Sequence, residues 1–123
     1  MTNSNIQTEV NKMKSVFLGK LVNANNINDL VRISNQKTWK SLESNSRVRN
    51  KVVKYLNREI KDILKRGINN MNINNKPKIT LFKQKLLSLR KSGFISIPDF
   101  QAYMNLINSR IRNEENKKYF FFY

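Results

Sequence analysis

Apolar residues recur at Ile6, Val10, Met13, Phe17 and Leu21, at spacings of four, three, four and four. That spacing lines one face of an amphipathic helix and leaves Lys12, Lys14 and Lys20 off it. Asn23, Asn25 and Asn26 interrupt the pattern. Two short helices are predicted next. NINDLVRI starts from Asn26 or Asn28 as N-cap; NQKTWKSLES is opened by Ser34 or Asn35, carries Trp39 and Leu42, and closes in a polar cluster. The segment SRVRNKVVKYLNREIKDILKRG reads as a longer helix, with Ser46 as N-cap and Gly67 as the stop behind Lys65 and Arg66.

Residues 69–78, NNMNINNKPK, read as a loop and as the most flexible point of the chain. Thr80 to Lys91 resumes a helical pattern through Leu81, Phe82, Leu86, Leu87 and Leu89, and Ser92-Gly93 ends it. Ser96, Pro98 and Asp99 then form a capping arrangement: a hydroxyl at the cap, proline in the first turn, an acid at the third position. Phe100, Tyr103, Met104, Ile107 and Ile111 continue as one helix face. There is no internal repeat and no period-two run. The expectation is an all-α fold over 1–123, a single domain built as a compact bundle of about five or six short amphipathic helices.

The charge changes this picture from a fold to a function class. The chain of 123 residues has 24 Lys and Arg against 8 Asp and Glu, a formal net charge of +16. A/T-rich coding inflates Lys but also tolerates acids, so the shortage of acids points to a requirement for positive potential. The excess is concentrated. Residues 1–45 carry six cations and three acids, residues 46–93 fourteen and two, residues 94–123 four and three. Partners of dense negative charge are implied, nucleic acid first.

On a helix at about 100° per residue, Arg47, Lys51, Lys54, Arg58, Lys61 and Lys65 fall in one narrow stripe. Val48, Val52, Leu56, Ile60 and Ile63 fall opposite. Like charges at i,i+4 repel by a few tenths of a kcal/mol per pair, and Glu59 and Asp62 sit on the flanks. Phosphates would turn this cost into a gain through counterion release. The following helix adds Lys76, Lys78, Lys83, Lys85, Arg90 and Lys91 as auxiliary cations. A mixture of Lys and Arg suits backbone contact more than base reading. A solvated face of a basic protein is the plainer alternative for the stripe.

Aromatic residues offer stacking platforms for bases, but Trp39, Phe82, Phe94, Phe100 and Tyr103 lie at core spacings or beside turns. Tyr55, at the edge of the stripe, is the best stacking candidate. The C-terminal Tyr119, Phe120, Phe121, Phe122 and Tyr123 either fold back on the core or dock onto a partner. With Trp39 they define a second reading, a protein-interaction module that acts as adaptor or inhibitor while the charge steers association. An anionic membrane surface is a third and weaker reading, because the apolar side of the basic helix is needed for the core.

Catalysis is not expected. His and Cys are both missing, which removes disulfides, thiolates, the commonest general base and the commonest metal ligands. No Walker A or metal-ligand cluster is present, and no cofactor or metal is expected. Pro98-Asp99 and Glu115-Asn116-Lys117 spell the PD…ExK string of many nucleases, whose residues act from adjacent strands; here Pro-Asp opens a helix. No stretch has the length of a membrane span and the N-terminal residues lack an apolar signal run, so an intracellular location is expected. Asp29 to Ser44 resembles the helix–turn–helix of small bacterial repressor headpieces, with Val31 at the usual small position and no Gly in the turn. DLVRISNQKTWKSL also resembles the C-terminal half of an F-box, without that family's Leu-Pro signature. Neither resemblance assigns a family.

Overall fold

A computed structural model describes residues 3–121, with side chains over 5–117. The described residues form six helices and no strand: α1 (Asn3–Val22), α2 (Ile27–Ser34), α3 (Lys37–Lys40), α4 (Ser46–Asn70), α5 (Lys76–Lys91) and α6 (Ile97–Phe121). This is the all-α bundle that the periodicity predicts. Helices α1 and α4 turn their periodic faces inward, whereas in α5 Leu86 and Leu89 are buried with Ile79, and Leu81, expected on that face, is exposed. Ile6, Val10, Met13, Phe17 and Leu21 of α1 are buried, as are Val48, Val52, Leu56, Ile60 and Ile63 of α4. Helix α4 is the centre of the bundle; it packs on α1 most extensively, and also on α2 and α6. Helix α5 closes the other side against α2 and α6.

Trp39 locks three parts of the chain together. It is fully buried, with Phe17 of α1 and Phe94 of the α5–α6 link set edge-on to its ring at 5.1 and 4.8 Å. Its indole N–H donates to the carbonyl of Ser92 at 2.8 Å, which satisfies a polar group that would be costly if left unpaired.

Several boundaries differ from the sequence expectation. The cap of α4 is Asn45, whose side chain accepts from the Val48 N–H; Ser46 is the first helical residue. Gly67 does not stop α4, which continues to Asn70. The ring of Phe82 packs over Gly67, where a Cβ would come within 3.1 Å of it, and buried Ile68 follows. The helix therefore gains tertiary contact by continuing. Its last carbonyls are met from outside, by the Arg110 guanidinium donating to Ile68 and, at 2.9 Å, to Met71. The expected loop 69–78 shrinks to 71–75. Asn75 caps α5 through the Lys78 N–H, and Pro77 sits in the first turn, where no N–H is needed. Ser34 does not open the following helix; it is the buried last residue of α2, with its hydroxyl donating to Val31. Gln36 precedes α3, which has four residues. A helix that short, with Trp39 buried in it, has no length to act as a recognition helix, so the helix–turn–helix likeness does not extend to geometry. Asn26, Ser92-Gly93 and Ser96 act where expected: Asn26 accepts from the Asp29 N–H, Gly93 adopts φ of 73°, and Ser96 accepts from the Asp99 N–H.

Candidate nucleic-acid interface

The stripe on α4 exists because Val48, Val52, Leu56 and Ile60 anchor the opposite side of the helix in the core. Arg47, Lys51, Lys54, Arg58 and Lys65 are exposed, and Lys61 is partly so. From residue 47 to 65 the row runs for about 27 Å at 1.5 Å per residue. Neutralisation is sparse. Among the described residues three ion pairs form: Arg32–Asp29, Lys61–Asp99 and Lys117–Glu114. Of the six cations in the row, Lys61 alone meets a carboxylate, at 4.0 Å and in partly exposed surroundings where such a pair is worth little. Glu59 and Asp62, on the flanks, pair with none of the row.

The neighbours of α4 border the stripe on both sides. On one, Lys14 of α1 holds its ammonium 4.7 Å from the centroid of Tyr55, which is 49% exposed. Tyr55 thus presents a ring at the stripe's edge, and Lys14 adds a cation that its position on α1 gave no reason to place there. On the other side, Lys61 and Lys65 share a groove with Tyr103, Asn105 and Leu106 of α6. Tyr103 is buried and its hydroxyl has no hydrogen-bond partner; burial, with the Asp99 carboxylate adding to it, pushes the phenol well above its ordinary value.

The auxiliary cations of α5 do not form one continuation of the stripe. Lys83 donates to Asn108 on α6 at 3.2 Å, and Lys85 to Asn28 on α2. Lys76 lines a separate concavity with Glu114 and Glu115, and Lys78 and Lys91 are exposed. Arg90 is placed differently. Its guanidinium lies 5.2 Å from the Phe100 ring centroid, and it shares a cleft with Arg49 and Lys54 of α4. Arg49 escapes the helical-wheel argument, since it falls about 160° from the middle of the row. No local signal marks it.

Trp39 is not available to anchor a partner, because it is sealed in the core. Tyr119, Phe120 and Phe121 belong to α6 by backbone, but their side chains, with Phe122 and Tyr123 altogether, lie outside the described residues. Asp99 and Glu115 are sixteen residues apart on the same helix, about 24 Å along its axis. The PD…ExK string therefore assembles no site. Among the described residues no group of three His, Cys, Asp or Glu is placed to hold a metal ion, and no helix is long and apolar enough to cross a membrane. Comparison with protein-family models, curated proteins and solved structures finds no match.

Proposed function

We propose that this protein is a non-enzymatic nucleic-acid-binding protein that contacts the phosphate backbone through the α4 stripe, largely without regard to base sequence. One observation carries the reading: six cations stand in line on the outer side of a helix whose inner side is committed to the core, and one of the six has a carboxylate partner. Repulsion along the row is tolerated in the free protein, and phosphates that replace condensed counterions relieve it. Tyr55, exposed at the edge with Lys14 against its ring, supplies a stacking surface beside the phosphate contacts. The apolar face of α4 is buried, so it is closed to lipid as it is to any other partner.

The test is the affinity of the purified protein for labelled duplex DNA, duplex RNA and single strands across a salt series. With all six cations engaged, log affinity falls against log salt with a slope of about −5 on duplex DNA and about −4 on single strands. Arg47, Lys51, Arg58 and Lys65 all changed to Glu reverse four exposed charges of the row and abolish the binding. Affinity that is flat in salt, or that survives the four reversals, overturns the proposal.

A further inference from the structure

Arg49, Lys54 and Arg90 all line one cleft of about 480 Å³ between the N-terminal half of α4 and the α5–α6 link. None of the three has a carboxylate within ion-pair distance among the described residues. The acid that lines the cleft, Asp99, lies beside Lys61 instead. Two of the cations are held in place by packing. The Arg49 guanidinium lies on Gly93, where a Cβ would come 2.9 Å from Nε, and one of its terminal nitrogens donates to the Glu43 carbonyl at 3.5 Å. Its Nε is shielded from water and has no acceptor. Arg90 rests against Phe100. Guanidinium groups already fixed in orientation lose little freedom when they bind an oxyanion through paired N–H donors.

The start of α6 adds little to this. Pro98 has no N–H, the Asp99 N–H is taken by Ser96 Oγ, and the Phe100 N–H by the Ser96 carbonyl. The attraction for anions comes from side chains. The remaining lining divides by chemistry: Val53, Ile95 and Ile97 are apolar, whereas Asn50 and Asn57 bring amides. The volume exceeds what a phosphate alone would fill and is in the range of small-ligand sites.

We propose that this cleft binds the phosphomonoester end of a nucleic-acid strand. Arg49, Lys54 and Arg90 take the terminal phosphate, and the first base lies against Val53, Ile95 and Ile97 with its polar edge toward Asn50 and Asn57. Three cations on one cleft match the dianion of a monoester better than the single charge of a backbone diester. Lys54 belongs to both the stripe and the cleft, so a strand seated along the stripe delivers its end there. The phosphate chemistry stands on the cleft alone; its assignment to a strand end rests on the nucleic-acid reading above.

The experiment compares short single strands of one sequence carrying a 5′-phosphate, a 3′-phosphate or hydroxyls at both ends. Inorganic phosphate and a nucleoside 5′-monophosphate are titrated separately, followed by the amide NMR signals of Gly93, Ile95 and Ile97. One phosphorylated end is expected to bind about tenfold more tightly than the hydroxyl strand. An Arg49→Gln, Arg90→Gln double variant removes that gain and keeps the affinity for the hydroxyl strand within about twofold. A single Arg90→Gln variant, at an exposed position, repeats the comparison should the double variant lose its helical signal. Equal affinity for all three strands, or a gain that survives both variants, overturns the proposal; a steep salt slope on the hydroxyl strand then leaves the stripe reading intact. If no strand binds but the monophosphate shifts those amides, the strand assignment falls and the cleft remains a site for a small phosphate ester.

Discussion

Trp39 is the residue on which the packing depends most. It meets Phe17 and Phe94 edge-on and ties its indole N–H to Ser92, so it joins α1, α3 and the α5–α6 link. Trp39→Ala is expected to cost about 3–5 kcal/mol in urea denaturation followed by helical ellipticity. A loss under about 1 kcal/mol would mean that the three parts are not joined there. Its core spacing was legible in the sequence; its hydrogen bond to a residue fifty-three positions away was not. Asp29 is a residue-scale case of another kind. The backbone N–H of Asn25, 2.8 Å from its carboxylate, is the main cause that holds Asp29 below its ordinary value of 3.8, with Arg32 and the Asn26 N–H helping. A lowered folded value means that this contribution to stability is complete above 3.8 and fades as pH falls through the folded value. Thermal midpoints measured from about pH 6 to about pH 2 should therefore converge between the wild type and Asp29→Asn as the acid end is approached. Parallel curves would show that the carboxylate charge plays no part.

Helix boundaries test how far local signals reach. Ser46 was the expected cap of α4, but asparagine caps as well as serine and either position leaves Val48 and Val52 facing the core, so the apolar pattern gives no reason to prefer one. The side-chain bond from the Val48 N–H goes to Asn45. Asn45→Ala should cost about 1 kcal/mol. Ser46→Ala should be neutral or slightly stabilising, because alanine is the better helical residue. Equal losses at both positions in chemical denaturation would contradict this cap assignment. Gly67 misled for a physical reason. Its cost inside a helix is about 1 kcal/mol by propensity, and what offsets it, the Phe82 ring above it and the burial of Ile68, comes from a distant segment. Pro77 was legible in principle. It occupies the first turn of α5 as Pro98 does that of α6, but the asparagines around it concealed the pattern. The faces of α1 and α4 were therefore readable to the residue, whereas that of α5 was not: Leu81 lies exposed and Ile79, ahead of the expected start, is buried. Helix ends were readable where a capping residue met no competing tertiary contact, as at Asn26, Gly93 and Ser96.

At the scale of the molecule, the stripe was legible because it is a property of one helix. The cleft was not, because Arg49 and Lys54 meet Arg90 and Gly93 only after α5 has packed and its link has turned back on α4. The whole charge distribution makes one further prediction, in which stability and binding respond to salt with opposite signs. A net charge of +16, with three ion pairs among the described residues, leaves the free protein under self-repulsion. Screening weakens that repulsion, so the thermal midpoint of the free protein should rise as ionic strength goes from about 10 to about 200 mM. In the presence of a saturating nucleic acid the protein starts more stable, by about 2.7 kcal/mol at a hundredfold excess over Kd. That increment shrinks as salt weakens the phosphate contacts. The two midpoint curves should thus approach each other as salt rises. Changing Arg47, Lys51, Arg58 and Lys65 to Glu removes eight units of positive charge, so it should flatten the free curve and make the curves with and without nucleic acid coincide. A free protein whose midpoint does not rise with salt would show that its charges are already neutralised within the fold, and the stripe would then have no repulsion for phosphates to relieve.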